Sequence, residues 1–453
     1  MSDAAQPAPE AAAAWRPERE DLLRARDRAV VRRARLSRRS WWLMFLLAGP
    51  GVLVMLGEND GPSMLSYAAT GAAYGVGFFV PFILLTFLMA YVVQEMTVRL
   101  GIATHRGHAE LIFDRFGPFW GYFAMVELFF GNVLTLVAEF IAIRAGAAYF
   151  GIPAWLAVVA GTLVVLAAFS TRRYFTWERF AMLLAAGNLL FVPAALFAHP
   201  HFRDMAHALG TWGPVPGGFT PAFLLLLLAN IGATVTPWMI FFQQSAVVDK
   251  GLTREDLPQG RLDTAIGALL AAIAAIATLL ACVPLFAHHV RVGSFSGGAD
   301  FATALHPYIG GVGSALFALG MIEAGLVAAM TISTSSSYAL GEVFGKGRSL
   351  NLDFSQGALF YISSLLSVVV AAAVVLSPHA PLLALTLTVN VIATLLMAPA
   401  LFFLLLLIND REIVGELANR WRSNLAGGAI VVGVALAGAL YGITTVFPGL
   451  LAR

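Results

Sequence analysis

Charge is scarce in this sequence: of 453 residues, 12% are Asp, Glu, Lys or Arg, while 59% are hydrophobic. An ordinary soluble domain carries roughly 25% charged residues, so the shortage excludes a soluble globule and points to a polytopic membrane protein. Cysteine is nearly absent. The single Cys282 lies in an apolar run, so it offers neither an internal disulfide nor a thiolate cluster for zinc or iron–sulfur chemistry. It reads as a small buried hydrophobe. A Gly-rich phosphate loop, a nucleophile elbow and a metalloprotease motif are all missing, so nothing supports an enzyme, and no cofactor is expected. No apolar h-region precedes a small-residue cleavage site near the start, so no cleaved signal peptide is read.

What is present begins with residues 1–40, an Ala/Pro-rich stretch followed by ten Arg between Arg16 and Arg39. A basic run beside a membrane span is a topology signal, so this is read as a cytosolic tail held near anionic lipid, with no nucleic-acid partner. Apolar stretches of about 20 residues each fit one helical crossing. Eleven occur, near 41–74, 76–98, 118–147, 153–170, 179–198, 220–247, 262–287, 309–339, 355–376, 381–407 and 426–447. With the N-terminus inside, the cytosolic side holds 24 Lys and Arg, and the outer side keeps only Arg144, Arg203, Arg291 and Arg453. That asymmetry supports both the count and the orientation. The expectation is an all-α polytopic protein of a plasma or inner membrane, with eleven transmembrane helices and a transporter domain over 41–447.

Charge inside a span costs about 2.5 to 3.5 kcal/mol at the helix centre and is functional by default. The first span carries the clearest case, "LGENDGPSMLS" at 56–66, where Asp60 precedes Gly61-Pro62. Proline removes a backbone donor and glycine tolerates strained angles, so the helix should unwind there. Unwound backbone persists in a membrane only where it lines a cavity or is buried in protein. The sixth span repeats the device in "NIGATVTPWMIFFQQ", where Gly232 and Pro237 bracket Ala233 to Thr236 and free carbonyls to act as oxygen ligands. Matching breaks in the first helix of each half point to an inverted-repeat transporter with a midplane site.

At these residues the chain resembles the Nramp divalent-metal transporters. "AGPGVLVMLGENDGPS" is similar to their first-helix segment, "GATVTPW" to their sixth-helix signature, "VQEMTVRLGIATHRGHAELI" to the end of their second helix, and "APALFFLLLLINDREIVGELANRW" to the end of their tenth. The resemblance implies a LeuT-like fold of two inverted five-helix units, here about 41–198 and 220–407, plus an eleventh helix near 426–447. It also implies a metal site made by Asp60 and the Ala233 carbonyl. Three positions depart from the family pattern: Ser63 stands for an asparagine, Thr236 for a methionine and Trp238 for a histidine associated with the proton path.

Loss of the thioether shifts the site toward hard cations, since carboxylate, hydroxyl, carbonyl and water favour Mg²⁺, Ca²⁺ and Mn²⁺. The third span lacks the family's aspartate and keeps Glu127 and Glu139, twelve residues apart and about a third of a turn out of phase. This pattern is similar to the Nramp-related magnesium transporters. The leading expectation is therefore import of partly hydrated Mg²⁺, and also Mn²⁺, by alternating access without proton coupling, one chain being the working unit. Asp60, Ser63, Ala233 and Thr236 would shape the site. The alternative is a proton-coupled Mn²⁺ or Fe²⁺ importer in which Glu127 or Glu139 carries protons. A third reading is an amino-acid or amine carrier on the same architecture.

Other polar residues in the spans are weaker candidates. Asn59 either caps the break or turns to the cavity, and Glu58 is placed above or behind the site and not counted as a ligand. Thr386 and Asn390 are either polar ligands or interhelical hydrogen-bonding groups. Gln243, Gln244 and Gly232 are candidates for an ion's water shell, and Glu323 for a cation pathway. The stretch "AHPHFRDMAH", with three His beside Asp204, reads as a solvated loop, and "STSSS" at 333–337 as small-residue packing.

Overall fold

The first crossing is divided between α1 (Pro50–Glu58) and α2 (Gly61–Tyr74). Asp60 between them is extended, and its Oδ1 accepts the Ser63 backbone N–H at 2.8 Å, an N-cap that starts α2. Pro62 falls in the first turn, where its missing N–H leaves no bond unmade. The chain continues through α3 (Phe79–Thr104), the short α4 (His108–Phe116), α5 (Pro118–Tyr149) and α6 (Ala154–Phe169). The fifth crossing begins as α7 (Tyr174–Ala185), tightens to a 3₁₀ segment over Ala186–Leu190 and ends as α8 (Phe191–Phe197). The computed structural model describes residues 49–290, 295, 298–377 and 382–446, with Leu23, Arg26, Asp27 and Ala29. Those four apart, the expected tail lies outside the described residues, as does the start of the first span.

Next comes α9 (Phe202–Thr211), which corrects the loop expected there. Asp204 in its first turn suits the positive end of the helix, and left-handed Trp212 closes it. The sixth crossing is again divided, into α10 (Pro221–Gly232) and α11 (Pro237–Lys250), with Ala233 to Thr236 outside both helices and Pro237 at the start of the second. The remaining helices are α12 (Leu257–Ala287), α13 (Gly298–Val343), α14 (Ala358–Val375), α15 (Leu382–Asn409), the single turn α16 (Arg411–Val414) and α17 (Trp421–Val446). Gly310, at φ 70°, interrupts α13.

Among the described residues, nine helices are long and apolar enough to cross a membrane. The 16-residue α6 and the divided α1–α2 complete the eleven crossings expected. Large apolar side chains such as Leu88, Phe119, Leu163 and Leu366 point outward, whereas Glu58, Asp60, Glu139, Gln243 and Asn390 are buried. Hydrocarbon outside and polar groups inside is the pattern a bilayer selects. Long α13 packs along α5, and α12 packs against α1, α2 and α3, so both breaks sit inside the bundle. Near the start of α12, Asp263 accepts the Gly49 and Gly51 N–H groups at 3.0 and 2.6 Å, and Lys250 at the end of α11 pairs with Glu178 at 2.9 Å.

Candidate metal site at two helix breaks

The two interrupted helices bring their ends together. Glu58, the last residue of α1, accepts the Thr236 hydroxyl on Oε2 at 2.7 Å, which ties the first break to the second. Asp60 follows two residues on. Glu139 reaches the same place from α5: its Oε2 accepts the Gly61 N–H at 2.9 Å, and its carboxyl lies within side-chain hydrogen-bonding reach of Asp60. Glu58, Asp60, Ser63, Glu139, Ala233 and Thr236 are each no more than 3% exposed. Ser63 Oγ, Glu58 Oε1 and Glu139 Oε1 are buried without a hydrogen-bond partner. The Ala233 carbonyl accepts the Tyr67 hydroxyl at 2.8 Å, and Tyr67 also meets Thr234 at 3.1 Å.

These groups are oxygen donors of the kind hard divalent cations take. None of the three carboxyls has a basic partner in any ion pair among the described residues. No group of three Asp, Glu, His or Cys side chains there converges as a ready-made cage. A bound ion would therefore draw on carbonyls, hydroxyls and water as well as carboxylates.

The family model described as "Natural resistance-associated macrophage protein-like" matches residues 51–444. The chain belongs to the Nramp family. This Nramp chain is 28% identical over 438 residues to a protein named divalent metal cation transporter MntH from Erwinia tasmaniensis, spanning 91% of this chain and 97% of that one. Its fold matches the manganese transporter of Eremococcus coleocola with a TM-score of 0.72 at 20% identity, covering 91% and 89% of the two chains. It also matches MhsT in complex with L-phenylalanine with a TM-score of 0.55 at 13% identity, covering 87% and 98%. The fold is the LeuT-like arrangement expected from the sequence, and an Nramp chain is a multi-pass membrane protein rather than an enzyme.

In this Nramp the remaining candidates fall in different places. Asn59 donates to the Ala271 carbonyl of α12 at 2.8 Å, and its Oδ1 is buried without a hydrogen-bond partner. Gln243 donates to Thr264 at 3.0 Å and keeps a buried Oε1 without a partner, while Gln244 meets His108 at 2.9 Å and donates to the Arg106 carbonyl at 2.8 Å. Gly232 lies against the Asn390 carbonyl with no room for a Cβ, a close approach of backbone to backbone. Asn390 donates to Ser66 at 3.0 Å, and Ser66 to the Pro62 carbonyl at 3.0 Å, which brace the start of α2. Thr386 is buried on the same helix.

Glu127 lines a narrow cleft with Asn132, Thr135, Thr236 and Trp238 that leads to the second break. Trp238 is buried, its indole N–H beside Glu58 but without a satisfied hydrogen bond. Glu323 takes the Asn188 amide on both oxygens at 3.2 Å, and the same amide reaches the Leu56 carbonyl of α1 at 3.3 Å. Asn188 thus links Glu323 to the first broken helix one turn before the break. Of two further groups at the centre, Glu58 was expected above or behind the site and Tyr67 was not expected at all. The spacing Glu-x-Asp across a predicted break was the available signal for the first.

Proposed function

We propose that this chain carries divalent metal ions across the membrane, Mn²⁺ first and Mg²⁺ in competition with it, in exchange with or together with protons. The observation that supports it best is the Asp60–Glu139 carboxyl pair at the Gly61-Pro62 break, buried and without a basic partner among the described residues. Asp60 would meet the ion, joined by Ser63 Oγ, Thr236 and the Ala233 carbonyl. Glu139, one hydrogen bond away, would hold the proton. Oxygen ligands of this kind suit hard ions such as Mn²⁺ and Mg²⁺. The names of the relatives, a divalent metal cation transporter and a manganese transporter, agree with this cation class.

The expectation of uncoupled Mg²⁺ transport drew on what is missing, the third-span aspartate and the sixth-helix histidine. Glu139 supplies an acid at the break, and no relative above is named for magnesium, so the coupled reading is preferred. An amino-acid carrier is disfavoured because the Asp60 carboxylate already caps the α2 N-terminus, where a substrate carboxylate would sit. On this proposal the repeats over 41–198 and 220–407 rock about the two breaks, and one chain is the working unit. Uptake by proteoliposomes checks it: Mn²⁺ should accumulate and external Mg²⁺ should compete. Failure to accumulate either ion would overturn it.

A further inference from the structure

Glu58 is poorly placed for a purely structural acid. It is the last residue of α1, where the carbonyl end of the helix carries partial negative charge and disfavours a carboxylate. It is fully buried, and Asp60 lies close enough to repel it. Its one good hydrogen bond is the 2.7 Å bond from Thr236, and Oε1 has no partner. No ion pair within the described residues includes it. Burying a carboxylate on these terms is costly unless a positive charge joins it.

We propose that Glu58 is a second carboxylate ligand of the transported divalent cation, beside Asp60, and that the ion takes it from Thr236. This rests on reading the chain as a divalent-cation carrier. Two carboxylates match the charge of the ion. The orphaned Oε1 supplies a free ligand atom, and Ser63 Oγ, also buried and unpartnered, supplies another. Glu58 ends α1 and reaches the residue just before α11, so a single side chain passes from holding the two broken helices together to holding the ion between them. Ion occupancy and the α1–α11 contact then compete for the same carboxylate, and occupancy is coupled to the geometry of both breaks.

The purified full-length chain, titrated calorimetrically with Mn²⁺ and melted with and without Mn²⁺, tests this. Glu58→Gln should weaken Mn²⁺ binding by about tenfold or more, as lost metal-site contacts commonly do, and Glu58→Asp should recover part of it. Without metal, Glu58→Gln should melt no lower than wild type, since a buried like charge beside Asp60 is removed. Mn²⁺ affinity within about twofold of wild type in Glu58→Gln would overturn the proposal. So would a lowered metal-free melting temperature, which marks a strut to Thr236 and not a ligand. Loss of proton movement with unchanged Mn²⁺ affinity would also overturn it. If wild type binds no Mn²⁺, the transport reading falls first and takes this inference with it.

Discussion

Asp60 has two separable duties, and a pair of substitutions pulls them apart. Its Oδ1 caps α2 by accepting the Ser63 N–H at 2.8 Å, and its charge is the proposed counter-charge for the cation. Asn is as good an N-cap as Asp, whereas exchanging a capping residue for Ala costs about 0.5 to 2 kcal/mol. Asp60→Asn should therefore unfold within about 0.5 kcal/mol of wild type, and Asp60→Ala about 1 kcal/mol below it. Relief of repulsion from Glu58 and Glu139 makes both figures upper limits. Transport should not follow that order. Both variants lack the charge, so both should lose Mn²⁺ uptake in proteoliposomes. Thermal unfolding in detergent measured beside uptake reads the two duties independently. An Asp60→Asn carrier that transports like wild type would refute the metal-ligand role, and an Asn variant as unstable as the Ala one would refute the cap.

Three further outcomes follow from other parts of the fold. Lys250 and Glu178 form an ion pair in which neither side chain is more than 1% exposed, so Glu178→Gln should destabilise the chain by about 3 kcal/mol, the low end for a broken buried pair because Asp263 also faces Lys250. Denaturant titration checks this, and an unchanged midpoint contradicts it. His108, in the connection after the second crossing, is buried against Phe241 and Gln244, and desolvation lowers its pKa to about 4 from 6.5. Its stabilising contribution is then full above pH 6.5 and is lost as pH falls toward 4, by up to roughly 3 kcal/mol. His108→Gln should flatten the stability profile over that window. Gly232→Ala places a methyl against the Asn390 backbone and should cost about 1 to 3 kcal/mol and slow uptake, as overpacking does. Normal stability and uptake in that variant would remove the close packing of the second break on α15 from the account.

Much of this was legible in the residues because membrane constraints are strict. Gly61-Pro62 beside Asp60, and Gly232 with Pro237, stand out in apolar runs, and both breaks form at those positions. Helix count was readable from hydropathy, and so was the short α6, whereas the helical α9 was not. Side-chain direction was the main loss. Residues two apart on a continuous helix point to nearly opposite sides, which agrees with the expectation of Glu58 above or behind the site. The break at Asn59 cancels that periodicity and lets Glu58 meet Thr236. Asn59 and Gln244 have the right chemistry in the right segment, yet their partners, Ala271 and His108, lie more than a hundred residues away along the chain. Glu323 likewise finds Asn188 only through the packing of α13 on the 3₁₀ segment. Such pairings are tertiary, and no local pattern announces them.

The coupling of metal to protons is the central claim, and Glu139 makes it testable in one assay. Proteoliposomes carrying a trapped pH reporter are given Mn²⁺, and metal and proton movement are recorded together for wild type and Glu139→Gln. Gln keeps an oxygen to accept the Gly61 N–H, so the break should persist while the proton site is lost. Coupled transport should show as pH change in proportion to Mn²⁺ entry in wild type, and as Mn²⁺ entry without it in the variant. Mn²⁺ entry at constant internal pH in wild type would contradict it and restore uncoupled transport.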